Sequence, residues 1–383
     1  MLLYKVQCGA FRIKRNAEKQ ATKIIEKTGL KPAIIREGLN YKVQCGAFAN
    51  KTNAMVRQGA LGKAGFDSVL VPVYDMKSEA QDRDKTVEHS ATGKIRVYPI
   101  CFFEKNESLY GDCTAIIEYA DDDVTVKHCV LIDTAMAGAS SVIIDKLRKL
   151  GVSVIDALVI SHAHGDHYGG NTKIFEAFPV KHLYLPDCKQ LDKYQKSYGN
   201  AIRNQESKAK KYKTEVTYLT TGKSFTVGSI DCNCVYQLPA SAVSEHDNHH
   251  FVNNESIVLR FTLSGKWIFH TAGDLQNAGN NALIRAVAKL RAHIYKCQWH
   301  GDANACNEAI CSHIKPIVAF FNYHHKESKG GRQLTRKRLE AVGALVMRNH
   351  EEGDIYIDCY EDKMVVTCSK KKDFRKEFKY VEL

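Results

Sequence analysis

The sequence predicts an α+β protein of two domains: a small βαβ-βαβ sheet over residues 1–75 and a larger mixed domain over 94–383. Three observations lead there. The octapeptide Tyr4–Phe11 recurs unchanged as Tyr41–Phe48. Residues 76–93 are polar and lack hydrophobic periodicity, as a linker does. From Lys94 onward, apolar runs of strand length recur among a few helical patterns.

Each copy of the repeat reads the same way. Tyr, Val and Cys alternate with Lys and Gln, the period of a half-buried strand, and Gly and Phe close it. Asn16 and Asn53 then stand where helix N-caps belong. The first helix is expected over 17–28, with Ala17, Ala21, Ile24 and Ile25 on one face and Gly29 as its C-terminal stop. The second is expected over about 54–64, ending at Gly65, and short strands follow at 31–36 and 68–74. The result is four strands with two helices on one face.

In the larger domain, strands are expected at 95–103, 113–120, 124–133, 155–161, 182–185, 216–219, 230–237, 256–263 and 266–272. Helices are expected at 139–150, 172–178, about 191–212 and 280–290, before a strand–helix–strand run over 316–322, 333–342 and 344–348.

Composition narrows the class. Of 383 residues 44% are hydrophobic and 26% charged, which excludes global disorder. No run approaches the ~18 apolar residues of a membrane-spanning helix. The net charge of +12 divides into +8 over residues 1–75, +4 over 363–383 and a neutral body between. Basic ends predict contact with a polyanion. Only Met1, Leu2 and Leu3 precede Tyr4, against the roughly 7–15 apolar residues of a secretory signal, so cytoplasmic synthesis is expected, with action at the cell wall after release. The 13 cysteines are then expected as reduced thiols, and Cys232-x-Cys234 lacks the second pair of a zinc site.

The chemistry concentrates after Val154–Ser161, a largely apolar run that reads as a buried strand. It ends in His162-Ala163-His164-Gly165-Asp166-His167, four potential metal ligands within six residues. His162 and His164 alternate onto one side, and the turn at Gly165 brings Asp166 and His167 toward a second position. Imidazole and carboxylate together suit Zn, Mn or Fe ions, and two divalent ions, Zn or Mn, are the expected cofactors. Segment 187–213 is basic, with eight Lys/Arg against three Asp/Glu, and has helical spacing. It is a candidate wall for an anionic substrate path.

Two resemblances follow from these residues. The paired Tyr-x-Val-Gln-x-Gly-x-Phe segments, their helices and the Ala64–Asp67 turn resemble the SPOR domain, a bacterial peptidoglycan-binding module. That resemblance implies binding of glycan strands through Gln7, Phe11, Gln44 and Phe48, with core packing the competing role for both Phe rings. The His-x-His-x-Asp-His segment, with Leu131–Thr134 upstream, resembles the metallo-β-lactamase superfamily. It implies an αβ/βα sandwich with a dinuclear site at one edge. Asn253–Leu259, Lys266–Asp274, Tyr295–Gly301 and Asn322–His325 are similar to the ComEC-like hydrolase domain.

By this second resemblance, His162, His164, Asp166, His167, Asp274 and His300 hold metal. Asp274 bridges the two ions, and Asp166 and Asp274 are the catalytic carboxylates. Asn254 and His325 are substrate-binding candidates. Trp299 stands where that family has a first His. His246, His249 and His250 are candidates for a further ligand, while His270 is expected as a packed His. The implied activity is that of a phosphodiesterase using metal-activated hydroxide on teichoic acid or nucleic acid. A ComEC-type nuclease and a catalytically silent peptidoglycan-binding protein are the alternatives.

Overall fold

The computed structural model describes residues 2–37, 40–48, 51–74, 93–104, 106–187, 192, 196–237, 251–323 and 331–383. They form two compact units. The expected linker lies almost wholly outside these residues, as do His246, His249, His250, His324 and His325.

The first unit runs β1 (Leu2–Phe11), α1 (Lys14–Thr28), β2 (Ala33–Glu37), β3 (Asn40–Phe48), α2 (Lys51–Lys63) and β4 (Val69–Tyr74). The strand order is β2-β3-β1-β4, with every neighbouring pair antiparallel. The period-two pattern sends Val6, Cys8, Val43 and Cys45 to one face, where they meet Ala17, Ala21 and Ile24 of α1 and Ala54 and Leu61 of α2. Phe11 and Phe48 pack partly buried against this cluster, each ring lying over its own glycine. Gly9 and Gly46 have φ of +130° and +129°, and a Cβ on either would stand 2.8 Å from that ring.

Three local expectations need correction. Asn16 and Asn53 lie inside the first turns, because the chain enters each helix almost directly from the strand. Ile13 holds the N-cap position of α1 without a side-chain capping bond. Ile25 is 46% exposed, since 100° per residue carries it off the stripe of Ala17, Ala21 and Ile24. Gly29 does end α1, with φ 69° and its N–H donating to the Ile25 carbonyl.

The second unit contains β5 (Ile95–Pro99), β6 (Thr114–Tyr119), β7 (Val126–Ile132), β8 (Ile155–Val159), β9 (Val180–Pro186), β10 (Glu215–Leu219), β11 (Ser224–Val227) and β12 (Ile230–Tyr236). After them come β13 (Val258–Leu263), β14 (Trp267–Thr271), β15 (Ile294–Lys296), β16 (Val318–Phe321), β17 (Leu345–Arg348), β18 (Ile355–Cys359), β19 (Lys363–Cys368) and β20 (Arg375–Lys379). Its helices are α3 (Ser140–Lys149), α4 (Gly165–Tyr168), α5 (Asn171–Ala177), α6 (Lys196–Lys211), α7 (Phe251–Asn254), α8 (Asn277–Ala286), α9 (Glu308–Ile314), α10 (Gly331–Ala341) and α11 (Asn349–Glu352).

One sheet has nine strands, β10-β9-β8-β7-β6-β5-β18-β19-β20, and the other seven, β11 to β17 in sequence order. Ile116, Val130, Ala157 and Val159 of the first meet Leu259, Phe261, Phe269 and Phe320 of the second in a shared core. The opposite face of the nine-stranded sheet packs on Ile143 and Leu147 of α3, Ile174 of α5 and Ile202 of α6. This is the expected αβ/βα sandwich.

Cys232 and Cys234 are buried in the shared core rather than paired at a metal site. The basic tail is also folded: β19 and β20 extend the sheet edge and put Met364 and Val366 into the core. Lys363 and Arg375 of the tail pair with Glu377, and Lys371 with Glu352. The tail is therefore an edge hairpin with part of its charge paired within the protein. Among the described residues no helix is long and apolar enough to cross a membrane.

Candidate metal centre

The site forms where the strand ends of both sheets come together. β8 ends at Val159 and delivers His162–His167. β7 is parallel to β8 and delivers Asp133 at the same edge. β6 is antiparallel to β7, so its start brings Asp112 there too. From the other sheet, β14 leads to Asp274, β15 to Lys296 and His300, and β16 to Asn322. Ligands gathering beyond the carboxyl ends of strands are a general property of such sheets.

Asp133 organises the histidines. Its carboxylate accepts from the Ser161 N–H at 2.8 Å and the Ser161 Oγ at 2.7 Å, and it meets His167 Nδ1 at 2.8 Å. His162 Nδ1 lies 3.1 Å from Ser161 Oγ. Both rings thus present Nε2 to the site, the arrangement by which a second layer of bonds fixes metal-binding imidazoles.

The predicted ligands converge. His162 Nε2 is 3.0 Å from His164 Nδ1 and 4.0 Å from Asp274 Oδ2. The same Asp274 oxygen lies 3.4 Å from His167 Nε2 and 3.4 Å from His300 Nε2. Asp166 Oδ2 is 3.3 Å from His300 Nε2 and 3.9 Å from His167 Nε2. Asp112, His167, Asp274 and His300 offer ligand atoms within 4.8 Å of one another. His167 Nε2 and Asp274 Oδ1 are buried without a hydrogen-bond partner. An imidazole–carboxylate cluster with such orphaned atoms fits a divalent cation.

The electrostatics follow from imidazoles and carboxylates packed against one another with little water between them. Burial pulls His167 down, but Asp274, Asp133 and Asp166 outweigh it and leave it well above the ordinary imidazole value. His300 follows the same pattern through Asp112 and Asp274. Asp274 is desolvated, yet His167 and His300 hold it well below the ordinary carboxylate value. Asp166 is likewise held low against burial, by His167 and then His300. Burial and the neighbouring His167 push His162 down.

Two participants escaped the sequence reading. Asp112 is 2% exposed, contacts the Lys296 ammonium and lies 3.3 Å from His300 Nδ1. Lys296, 3% exposed, also donates to the Gly273 carbonyl at 2.9 Å and stands 3.7 Å from Asp274. The available signal for Asp112 was the Gly-Asp pair opening an apolar strand. Gly111 has φ +113°, and a Cβ there would stand 2.1 Å from the Asp166 carbonyl oxygen. Only glycine lets the backbone pass that close and seat Asp112 beside the His-rich turn.

A cavity of about 370 Å³ opens over this cluster, lined by His164, Asp166, Asp274 and His300 and walled by Tyr110, Asn253, Trp299, Asn322 and Tyr323. Asn322 is 1% exposed, and among the described residues neither polar atom of its side chain has a hydrogen-bond partner. Asn254, the expected substrate contact, instead accepts the backbone N–H groups of Gln276 and Gly279 and supports the start of α8. Its neighbour Asn253 reaches the cavity, because α7 turns successive residues to different sides. Trp299 and His300 have φ of 45° and 50°, two left-handed residues in succession at the cavity wall. His270 is packed as expected, and burial lowers it to about 3.

The first unit places Gln7 directly opposite Gln44 across the β1–β3 pair, with Val6 and Cys8 buried on the helix side. The predicted Phe11 and Phe48 are committed at least partly to the core.

Two family models match separate parts of the chain. Residues 123–217 match the Metallo-beta-lactamase superfamily and residues 3–72 the SPOR domain. Among curated proteins, the chain is 24% identical over 221 residues to ComE operon protein 3 of Bacillus subtilis (strain 168), covering 56% of this chain and 26% of that one. It is 22% identical over 225 residues to Recombination protein 2 of Haemophilus influenzae, covering 58% and 25%. The chain thus spans about a quarter of the length of these relatives. Among solved structures, the peptidoglycan binding domain of the B. subtilis cell wall lytic enzyme CwlC is 38% identical, with 19% of this chain and 92% of that chain covered and a TM-score of 0.19.

Proposed function

We propose that the chain is a metal-dependent phosphodiesterase, held on the glycan strands of peptidoglycan by its SPOR unit. The observation that carries the reading is the convergence of His162, His164, Asp166, His167, Asp274 and His300 in one cluster, with His164, Asp166, Asp274 and His300 facing a cavity. In this reading His162 and His164 would hold one divalent ion and Asp166, His167 and His300 the other, with Asp274 placed to serve both sets and Asp112 beside the second. Zn or Mn bound there supplies Lewis acidity and a nucleophile from water near neutral pH.

The protein's own groups do the rest. Asp166 stays ionised and faces the cavity, so it orients a water by accepting its proton in a hydrogen bond. Lys296 balances the buried Asp112 and Asp274. Asn253 and Asn322 offer amide groups to substrate oxygens, and Tyr110, Trp299 and Tyr323 supply apolar walls.

Two substrates follow from two observations. The SPOR unit favours a wall polyphosphodiester such as teichoic acid, which glycan binding brings close. The likeness to ComE operon protein 3 and Recombination protein 2 favours nucleic acid, the ComEC-type alternative. A polar groove along α6 suits either: Asn200, Asn204, Lys208 and Lys211 line it with Tyr168, and Tyr198 of the same helix meets the His164 ring edge-on at 5.5 Å. Action at the wall would follow cytoplasmic synthesis and release.

The test is hydrolysis by the full protein with Mn²⁺ or Zn²⁺, using bis-p-nitrophenyl phosphate, plasmid DNA and teichoic-acid-bearing sacculi. The Asp166→Ala/His167→Ala variant should lose metal and activity. No metal uptake, with parent and variant equally inactive, would leave the silent peptidoglycan-binding reading. Co-sedimentation with amidase-treated sacculi should fall when Gln7 and Gln44 are both changed to Ala; equal binding by that variant removes the predicted glycan face.

A further inference from the structure

The repeat has a structural consequence apart from glycan binding. β1 and β3 carry the two octapeptide copies and pair antiparallel, so an approximate two-fold axis passes near the Gln7–Gln44 pair. A residue close to that axis meets its own copy. Cys8 and Cys45 do so on the helix side, with Sγ atoms 3.1 Å apart. They are 2% and 3% exposed and lie on different strands of a unit whose buried core is small. Small cores are where covalent staples contribute most.

We propose that Cys8 and Cys45 are a disulfide-forming pair, reduced where the chain is made and oxidised to a β1–β3 staple where the unit meets an oxidising environment. The two sulfurs need to close from 3.1 Å to about 2.05 Å, a shift small enough for side-chain rotation. The oxidant is a small disulfide such as glutathione disulfide, reaching the thiols on local opening or during folding. One cysteine attacks as thiolate, breaks the oxidant's S–S bond and releases a thiol, leaving a mixed disulfide. The second then displaces the remaining oxidant half. Two S–H bonds and one S–S bond are broken, the Cys8–Cys45 bond forms, and two protons and two electrons end on two oxidant thiols.

Cys45 is the better first nucleophile. The Cys8 thiol beside it, and then Arg57, hold it below the ordinary thiol value against the effect of burial. The staple would tie together the strands that bear Gln7 and Gln44 on the opposite face.

The full chain is treated with glutathione disulfide, both native and during refolding from urea, then digested with trypsin without reduction. Cleavage leaves Cys8 in Val6–Arg12 and Cys45 in Val43–Lys51, so the identical octapeptides give distinguishable fragments. The expected product is these two fragments joined, two hydrogens lighter than their sum. A melting transition several degrees higher than in dithiothreitol should accompany it, and Cys8→Ser should abolish the shift. Cys297 also has a thiol hydrogen bond with Cys306 in the second unit, and a cross-link found there alone, with Cys8 and Cys45 unlinked, overturns the proposal. Unlinked fragments after both native and refolding oxidation overturn it.

Discussion

Charge at single residues decides how the candidate centre behaves. Asp112 is buried with its carboxylate between Lys296 and His300, and burial there is affordable only because both neighbours hold it ionised. Asp112→Asn should weaken divalent-metal affinity by roughly 10–100-fold, measured by competition with a chelating dye. Unchanged affinity would place Asp112 outside the ligand shell. Glu255 is a second buried carboxyl, 1% exposed, with both oxygens unpartnered among the described residues, and burial followed by Asp187 raises it from 4.5 to about 8. The folded state therefore keeps a proton that the unfolded chain loses, and stability falls as pH rises from about 4.5 to about 8. Glu255→Gln, which mimics the protonated acid, should flatten that fall; urea midpoints at pH 5.5 and 8.5 would measure it, and parallel curves would count against it.

At the scale of elements, strand ends and edges carry the consequences. β19 pairs with β18 and buries Met364 and Val366, so stopping the chain after Asp362 uncovers an apolar strand edge. The truncated protein should be largely insoluble or melt well below the parent, compared by soluble yield and thermal scanning. In the first unit, Gly46→Val forces a β-branched residue to φ +129° and against the Phe48 ring. A cost of about 1–3 kcal/mol is expected from strain of that kind, read from the shift in urea midpoint of the first unit. These elements were partly legible. The period of two revealed β1 and β3, and helical spacing revealed α3, α5 and α6. Short β11 and the C-terminal strands β18 to β20 were missed, because their pattern is weak and their pairing is long-range: β18 joins β5 across more than 250 residues. Asn16 and Asn53 misled because a capping residue is identified by the angle at which the chain enters the helix, which composition does not specify.

For the whole molecule, the candidate ligands come from both sheets: His162, His164, Asp166 and His167 from one, Asp274 and His300 from the other. Metal bound across them would link the two layers of the sandwich. Exhaustive chelation should therefore lower the melting temperature of the larger unit by a few degrees, as expected for loss of about 3 kcal/mol of binding at hundredfold saturation. An unchanged midpoint would separate metal binding from folding. The sequence by itself determined the duplicated octapeptide, the layered α/β character and the dense ligand turn at His162–His167, since each is a local pattern carried by neighbouring residues. It also marked Asp274 and His300 through a resemblance in strand-end motifs. Only the tertiary structure decided that Asp112 and Lys296 enter the site, that Asn253 rather than Asn254 reaches the cavity, and that Cys8 meets Cys45. Those outcomes depend on which strands pair and which way each side chain then points. Contacts between residues tens to hundreds of positions apart are set by packing, and no local period encodes them.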